Sequence, residues 1–461
     1  MRFLLPLAAL VAVFLIEFLI HHFPELPSRV SYLPDAIVGA VAALVIARLV
    51  VTRRIGAIPP RYLLVFFGFM YVVISGTLLN QVSPDVTVAG IRSYFKYVPL
   101  FLIPFAYTYS QRDLNVLLWV IVLLALIQIP VAIHQRFVEY SWLMTGDVVT
   151  GTFAVGASGT LSILLVCCAL VVASYALSGR LSNVWAAFLS VLLLLPTAIN
   201  ETKITPILLT IGAVGVLFAK RHALAMRHVV AAGIAILLLA GAFGVLYDII
   251  YGKTEGVSYA KAMSSEQAYG YYRAETRTVR PNAEARVLAA RAKQLALGSK
   301  AVARFDSLLL PFESFFPKYA VHLLVGLGVG NATSTFGSRA NYLYIKEELG
   351  GTATTLTQLI WECGVLGAIF YLAFFAMVTK DALVLSRREP WSSFAAGWVG
   401  VCLVLFVTLF YQSIFVTPVL PMLFSFFSGL VISKRASSFN DALLAEKTSR
   451  ARSLNATMNR T

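Results

Sequence analysis

The sequence predicts an all-α membrane protein of about 12 transmembrane helices, with one large outer loop between helices 9 and 10. Three observations carry this expectation. Of 461 residues, 59% are hydrophobic and only 13% are charged. Apolar runs of roughly 18–24 residues recur along almost the whole chain, each long enough to cross a ~30 Å hydrocarbon core at about 1.5 Å per residue. Lys and Arg gather in alternate connecting segments, as they do in multi-pass proteins. A soluble enzyme, a secreted disulfide scaffold and a disordered chain are disfavoured. So is a β-barrel, whose strands would run about ten residues and alternate in polarity.

The spans fall at about 3–20, 34–51, 62–79, 91–108, 114–133, 158–177, 183–199, 204–219, 229–247, 355–379, 394–411 and 415–432. The first follows Met1-Arg2 and has no small-residue cleavage site before His21, so it reads as a signal anchor. The fourth is unusual, carrying Arg92, Lys96 and two prolines, and the eighth is short. Residues 1–247 thus hold helices 1–9, 248–354 the large loop, 355–432 helices 10–12, and 433–461 a basic tail suited to an anionic lipid surface. Cys167, Cys168, Cys363 and Cys402 all fall inside apolar runs, so no disulfide framework or zinc-ligand spacing exists in a loop.

The net charge is +15, from 37 Lys+Arg against 22 Asp+Glu. No basic groove-entering motif accompanies it, so no nucleic-acid partner is expected. With the N-terminus inside, the inner segments hold 19 Lys+Arg and the short outer segments hold five: Arg29, Arg92, Lys96, Arg136 and Lys203. The remaining 13 lie in the long loop, and long loops escape the bias. This split places both termini in the cytoplasm.

The long loop is the one extramembrane region large enough to form a site. Tyr269, Tyr271 and Tyr272 interleave there with Arg273, Arg277 and Arg280. The Ala-rich stretch 283–305 favours helix and mixes Val287, Leu288 and Leu295 with Arg286, Arg291 and Lys293. It is either a basic amphipathic helix on the membrane surface or a helix facing a cavity that holds phosphate. Midplane charges are scarce. Glu17 and Glu362 are the notable ones, which weakens an ion-coupled transporter reading.

The candidate site residues are cations at outer span ends. Arg92 and Lys96 are i, i+4 and share a helix face, so they repel unless both reach water or an anion sits between them. Lys203 lies in the turn Asn200-Glu201-Thr202-Lys203, just before the helix start Thr205-Pro206. A helix N-terminus is already positive, so Lys203 there calls either for neutralisation by Glu201 or for a bound anion. Arg136 sits at the end of the fifth span, and Arg304 follows the basic helix. The run Gly326-Leu-Gly328-Val-Gly330 reads as a tight turn, with no βαβ context for a dinucleotide. No Ser-His-Asp order, P-loop or metal cluster is present, so no metal and no cofactor is expected.

Five features together resemble the bacterial O-antigen ligase and O-antigen polymerase superfamily. They are the twelve-span layout with its loop after the ninth span, Arg92–Pro99 in the fourth, Gly151-Thr152-Phe153 with Gly159 at the sixth, the Asn200–Lys203 turn, and Gly326–Gly330 followed by Gln358–Gly367. The resemblance puts Lys203 and Arg304 where that family has functional arginines. One departure is plain: the ligases carry a His just before the tenth span, and Gly351–Thr355 has none. That points to a polymerase over a lipid A-core ligase, or to a base supplied from elsewhere.

The resemblance implies an inner-membrane, metal-independent, inverting glycosyltransferase. Its substrates would be an undecaprenyl-pyrophosphate-linked oligosaccharide and an acceptor glycan at the periplasmic face. Membrane lipid and a chain-length regulator protein are the other expected partners. The catalytic set would be Arg304 and Lys203 with Glu348 or His322 (Glu347 is a further choice of base). Arg92, Lys96, Arg136, Arg286, Arg291, Tyr269 and Tyr272 would bind substrate. Rival expectations are a ligase acting on lipid A-core or protein, and a polysaccharide transporter or flippase.

Overall fold

The computed structural model describes residues 4–23, 30, 32–141, 146–153, 157–223, 226–249, 308–309, 311–312, 320–331, 354–415 and 417–437. Among these, regular structure is entirely helical. The helices are α1 (Leu4–His22), α2 (Leu33–Val51), α3 (Pro60–Leu79), α4 (Pro84–Phe95), α5 (Val98–Ala106), α6 (Gln111–His134), α7 (Ser158–Leu177), α8 (Asn183–Ile199), α9 (Thr205–Lys220), α10 (Met226–Tyr247), α11 (Ala320–Val325), α12 (Thr355–Leu385), α13 (Ser392–Tyr411) and α14 (Val419–Ser437). Among the described residues, seven helices are long and apolar enough to cross a membrane, or eight if the bent pair α4–α5 counts as one span. Shorter apolar helices accompany them, including α8 and α9. The chain is therefore an all-α, multi-pass membrane protein.

Sequence chemistry explains where the helices begin. Pro stands in the first turn of α2, α3, α4, α5 and α9, where its missing N–H costs nothing. Ser110 caps α6 with a reciprocal Asp113 capping box, and Ser182 and Thr354 cap α8 and α12. The predicted fourth span differs from expectation. It is not one helix over 91–108 but α4 and α5, bent by 43° around Lys96–Tyr97. Pro99 lies two residues into α5 and cannot donate back into the turn before it, so the ladder breaks there.

The helices sort into a centre and a rim. In α7 and α13 the apolar window is 72% and 78% buried, against 28% for α2 and α3. A helix buried all round needs apolar residues all round, and α7 and α13 have them. They pack on each other and on α9, with α8 against α7 and α12 against α13. On α3, by contrast, Leu64, Phe67, Tyr71 and Leu78 stay exposed. Such a face suits lipid and would be a liability in water.

Long-range polar contacts gather at two opposite ends of the bundle. One end carries ion pairs. Asp381 of α12, fully buried, meets Arg61 at 2.5 Å, Arg435 of α14 and the Tyr62 hydroxyl at 2.9 Å. Arg180 pairs with Glu389 at 2.5 Å, Lys220 donates to Ser392 at 2.6 Å, and Arg48 donates to the Ala106 carbonyl at 3.1 Å. The other end, where α3, α6, α8, α10 and α13 finish and α4, α7, α9, α12 and α14 begin, is rich in amides, hydroxyls and glycine turns beside ion pairs of its own. It also holds Arg92, Lys96, Arg136 and Lys203.

Candidate functional site

The second end of the bundle is built around three fastened loops. In the first, the end of α6 grips the Gly151-Thr152-Phe153 segment. Gln135 Oε1 accepts the N–H groups of Thr150 and Gly151 at 3.1 and 2.8 Å, and its Nε2 donates to the Gly151 carbonyl at 2.9 Å. Two turns earlier, Gln128 Oε1 accepts the Thr152 N–H at 2.8 Å. Both glutamines are buried, and every one of these bonds replaces one to water that burial removes. A five-residue π turn, Gln135–Glu139, extends α6, and it holds Arg136 buried beside Gln135.

In the second loop, the turn between α8 and α9 is locked to α7. Asn200 Nδ2 donates to the Ser158 carbonyl and to Ser162 Oγ, both at 2.9 Å. Asn200 Oδ1 accepts from the Thr202 N–H at 3.3 Å. Glu201 adopts a left-handed φ of 60° and turns its carboxylate toward three donors. These are the Gly146 N–H at 3.0 Å, the Tyr247 hydroxyl at 3.2 Å and Lys203 Nζ at 3.2 Å. Lys203 keeps 26% of its side chain exposed. Neutralisation by Glu201, one of the two outcomes the sequence allowed, is what this geometry displays. Helix α9 starts at Thr205 with no side-chain cap. The Thr202 and Thr205 hydroxyls are buried and bond to no protein group.

These first two loops form one unit. Ile199 packs with Ala132 and Val149 in a small apolar cluster, and Glu201 bonds to the 146–152 segment. Arg136 and Lys203 therefore belong to adjoining elements. Arg92 and Lys96 belong to a different one. Both grip Asp35 of α2, with Lys96 Nζ 2.5 Å from Oδ1 and Arg92 on Oδ2. The anion between these like charges is thus supplied by the chain itself. Sequence reading had not singled out Asp35. Its signal was a carboxylate in the first turn of an otherwise apolar helix.

The third loop is Gly326–Asn331. Helix α12 breaks at Gly364, whose φ of 63° and ψ of −171° interrupt the helical ladder. The carbonyls of Trp361 and Glu362 are released by the break. They accept the N–H groups of Leu327 at 2.8 Å and Gly328 at 3.0 Å. Asn80 adds a bond to the Gly326 carbonyl at 3.1 Å. A Cβ on Gly326 would sit 2.5 Å from the Glu362 backbone, so glycine is required by contact as well as by its φ of 75°. His322, half-buried on α11, gives its carbonyl to the Gly326 N–H at 2.8 Å.

A fourth set of bonds joins α7, α12, α13 and α14. Thr160 meets Thr417 at 2.7 Å, and Thr355 Oγ1 donates to the Gln412 carbonyl at 3.1 Å. The expectations for Arg304, Glu348, Glu347, Arg286, Arg291, Tyr269 and Tyr272 lie outside the described residues, as does the region between 250 and 307. Sequence reading also passed over Gln128, Gln135 and Tyr247. Gln128 is a lone polar residue in an apolar run, while Gln135 and Tyr247 stand beside charged or polar neighbours at span ends, and neither signal becomes specific until its partner loop is known. No protein-family model matches this chain, and no curated protein matches it either.

Proposed function

We propose that the chain is a multi-pass inner-membrane glycosyltransferase of the O-antigen polymerase type. It transfers glycan from an undecaprenyl-pyrophosphate-linked donor to an acceptor sugar hydroxyl, without a metal. In this reading the glycine-turned end of the bundle, with Lys203, faces the periplasm and the end with Asp381 faces the cytoplasm. Twelve spans then put both termini inside and the 248–354 loop outside.

One observation supports this reading best. Lys203 sits at the uncapped start of α9 on a turn that Asn200 holds rigid. Its partner Glu201 keeps two other donors, the Gly146 N–H and the Tyr247 hydroxyl, when Lys203 turns away. The Lys can thus move to an arriving anion without stranding a buried carboxylate, which would be costly. A lysine and a helix N-terminus together suit a diphosphate.

The reaction follows from that placement. The acceptor oxygen attacks the anomeric carbon, and the bond from that carbon to the phosphate oxygen breaks on the opposite face, with inversion. The bonding pair leaves on the pyrophosphate, where Lys203 and Arg304 stabilise the growing charge at a partly dry surface. The acceptor proton passes to a base, for which Glu348 and His322 are the candidates.

The test uses purified protein with lipid-linked oligosaccharide in detergent. Lys203→Ala and Arg304→Ala are each expected to lower long-chain product at least about a hundredfold, the scale of losing one charge-stabilising group. A chelator should leave wild-type product unchanged. Wild-type chain length in both variants would refute the assignment. Long chains stranded on the lipid carrier in a strain lacking the protein would favour a ligase.

A further inference from the structure

We infer that Thr202 and Thr205 are phosphate-binding residues, their two hydroxyls flanking Lys203 as donors to the oxygens of a lipid-linked diphosphate. The inference deepens the glycosyltransferase reading and rests on it for the identity of the lipid.

Three observations converge on the turn. Thr202 is 3% exposed and Thr205 2%, and neither Oγ1 bonds to a protein group. Buried hydroxyls are ordinarily satisfied, so two orphans within four residues call for an explanation. The surrounding polar groups do not share this state. Asn200 and Ser162, fully buried in the same region, bond to each other, and Asn200 also donates to the Ser158 carbonyl. The local fold is therefore able to satisfy its polar atoms, and it leaves these two.

The second observation is their position. Thr205 is the first residue of α9, a 16-residue helix with no side chain capping its start. The Thr202 carbonyl accepts the Thr205 N–H at 3.1 Å, which closes the turn and ties the two threonines together. Pro206 removes one N–H from the first turn, so side-chain donors gain importance there. The third observation is charge. Lys203 lies between the two threonines in sequence and keeps part of its side chain exposed. Donors, a cation and a helix N-terminus share one preference, an acceptor-rich anion. A sugar hydroxyl would use the threonines but gain nothing from the lysine or the helix dipole.

This arrangement has a signature that a structural role lacks. Replacing an orphan hydroxyl by a methyl group of the same shape removes an unsatisfied polar atom, so the ligand-free protein should melt no lower. The same change deletes a charge-assisted bond to the anion.

The experiment takes the full chain in detergent and measures its affinity for geranylgeranyl pyrophosphate, with geranylgeraniol as the uncharged control. Wild-type protein is expected to prefer the pyrophosphate. Thr202→Val and Thr205→Val should each weaken that binding about tenfold and leave the ligand-free melting temperature unchanged or raised. Thr202→Ser and Thr205→Ser should restore it. Affinity unchanged in both valine variants, as when the hydroxyls hold only water, overturns the inference. So does a lowered ligand-free melting temperature in both, or a wild type that does not discriminate the two lipids. If the valine variants lose affinity as expected but wild-type protein forms no glycosidic bond from a lipid-linked donor, the phosphate site stands and the polymerase reading falls.

Discussion

At residue resolution, charge in this protein is managed by pairing, and the partners differ by end. Asp381 is the clearest case. It is buried between Arg61, Arg435 and Tyr62, so α3, α12 and α14 all converge on one carboxylate. Removing it would leave two guanidinium groups facing each other. Asp381→Ala is expected to cost about 2–4 kcal/mol, toward the low end because Arg61 is partly exposed and can rehydrate. Thermal unfolding in detergent measures this, and a double substitution with Arg435→Ala should recover part of the loss. An unchanged melting point for the single variant would mean the three groups do not hold the helices. At the other end, Asp35 serves two cations and Glu201 is shared between Lys203 and two neutral donors. Those carboxylates balance charge where the chain has few acids to spend.

Elements show how apolar helices are interrupted where polar work is needed. Helix α12 is 31 residues long, and its run of apolar residues reads as one continuous span. It breaks at Gly364 because the Gly326–Asn331 turn needs the carbonyls of Trp361 and Glu362. Neither feature can form without the other: the turn needs acceptors and the broken helix needs donors. Gly326→Ala should therefore disturb both. Its φ of 75° and the Glu362 backbone at 2.5 Å leave no room for a methyl group, and a loss of at least about 2 kcal/mol is expected. Hydrogen exchange at the Leu327 and Gly328 amides should rise in parallel, and unaltered protection there would contradict the coupling. The glycines were visible in the sequence as a turn, but their partner was not. The α4–α5 bend is similar. Two prolines and two cations marked the segment as irregular, and Pro99 breaks the ladder there, but the 43° angle and the seating of α5 against α2 were not legible in it.

Across the whole molecule, the cations that the sequence assigned to inner segments are found together. Arg48, Arg61, Arg180, Lys220, Lys434 and Arg435 lie at the end with Asp381. Arg92, Lys96, Arg136 and Lys203 lie at the opposite one. Such sorting is what the insertion bias on Lys and Arg produces. A reporter active only outside the cytoplasm, fused after residue 300, is expected to be active, and fusions after residues 222 and 388 are expected to be silent. The reverse pattern would overturn the proposed orientation and, with it, the proposed periplasmic placement of Lys203.

Hydropathy alone dictated that this chain is a bundle of membrane-crossing helices, because an apolar run of that length has few other ways to satisfy its backbone. Local chemistry dictated the helix starts at Pro206 and Ser110 in the same way, since a cap or a first-turn proline acts within a few residues. Which carboxylate meets which cation, where α12 breaks, and why Gln128 and Gln135 are buried were matters for the assembled bundle. Each depends on a partner on another element, from 15 residues away for Gln135 and Thr150 to 320 for Arg61 and Asp381. A residue's own neighbours cannot encode such a meeting, because only packing brings the two ends of the contact into reach.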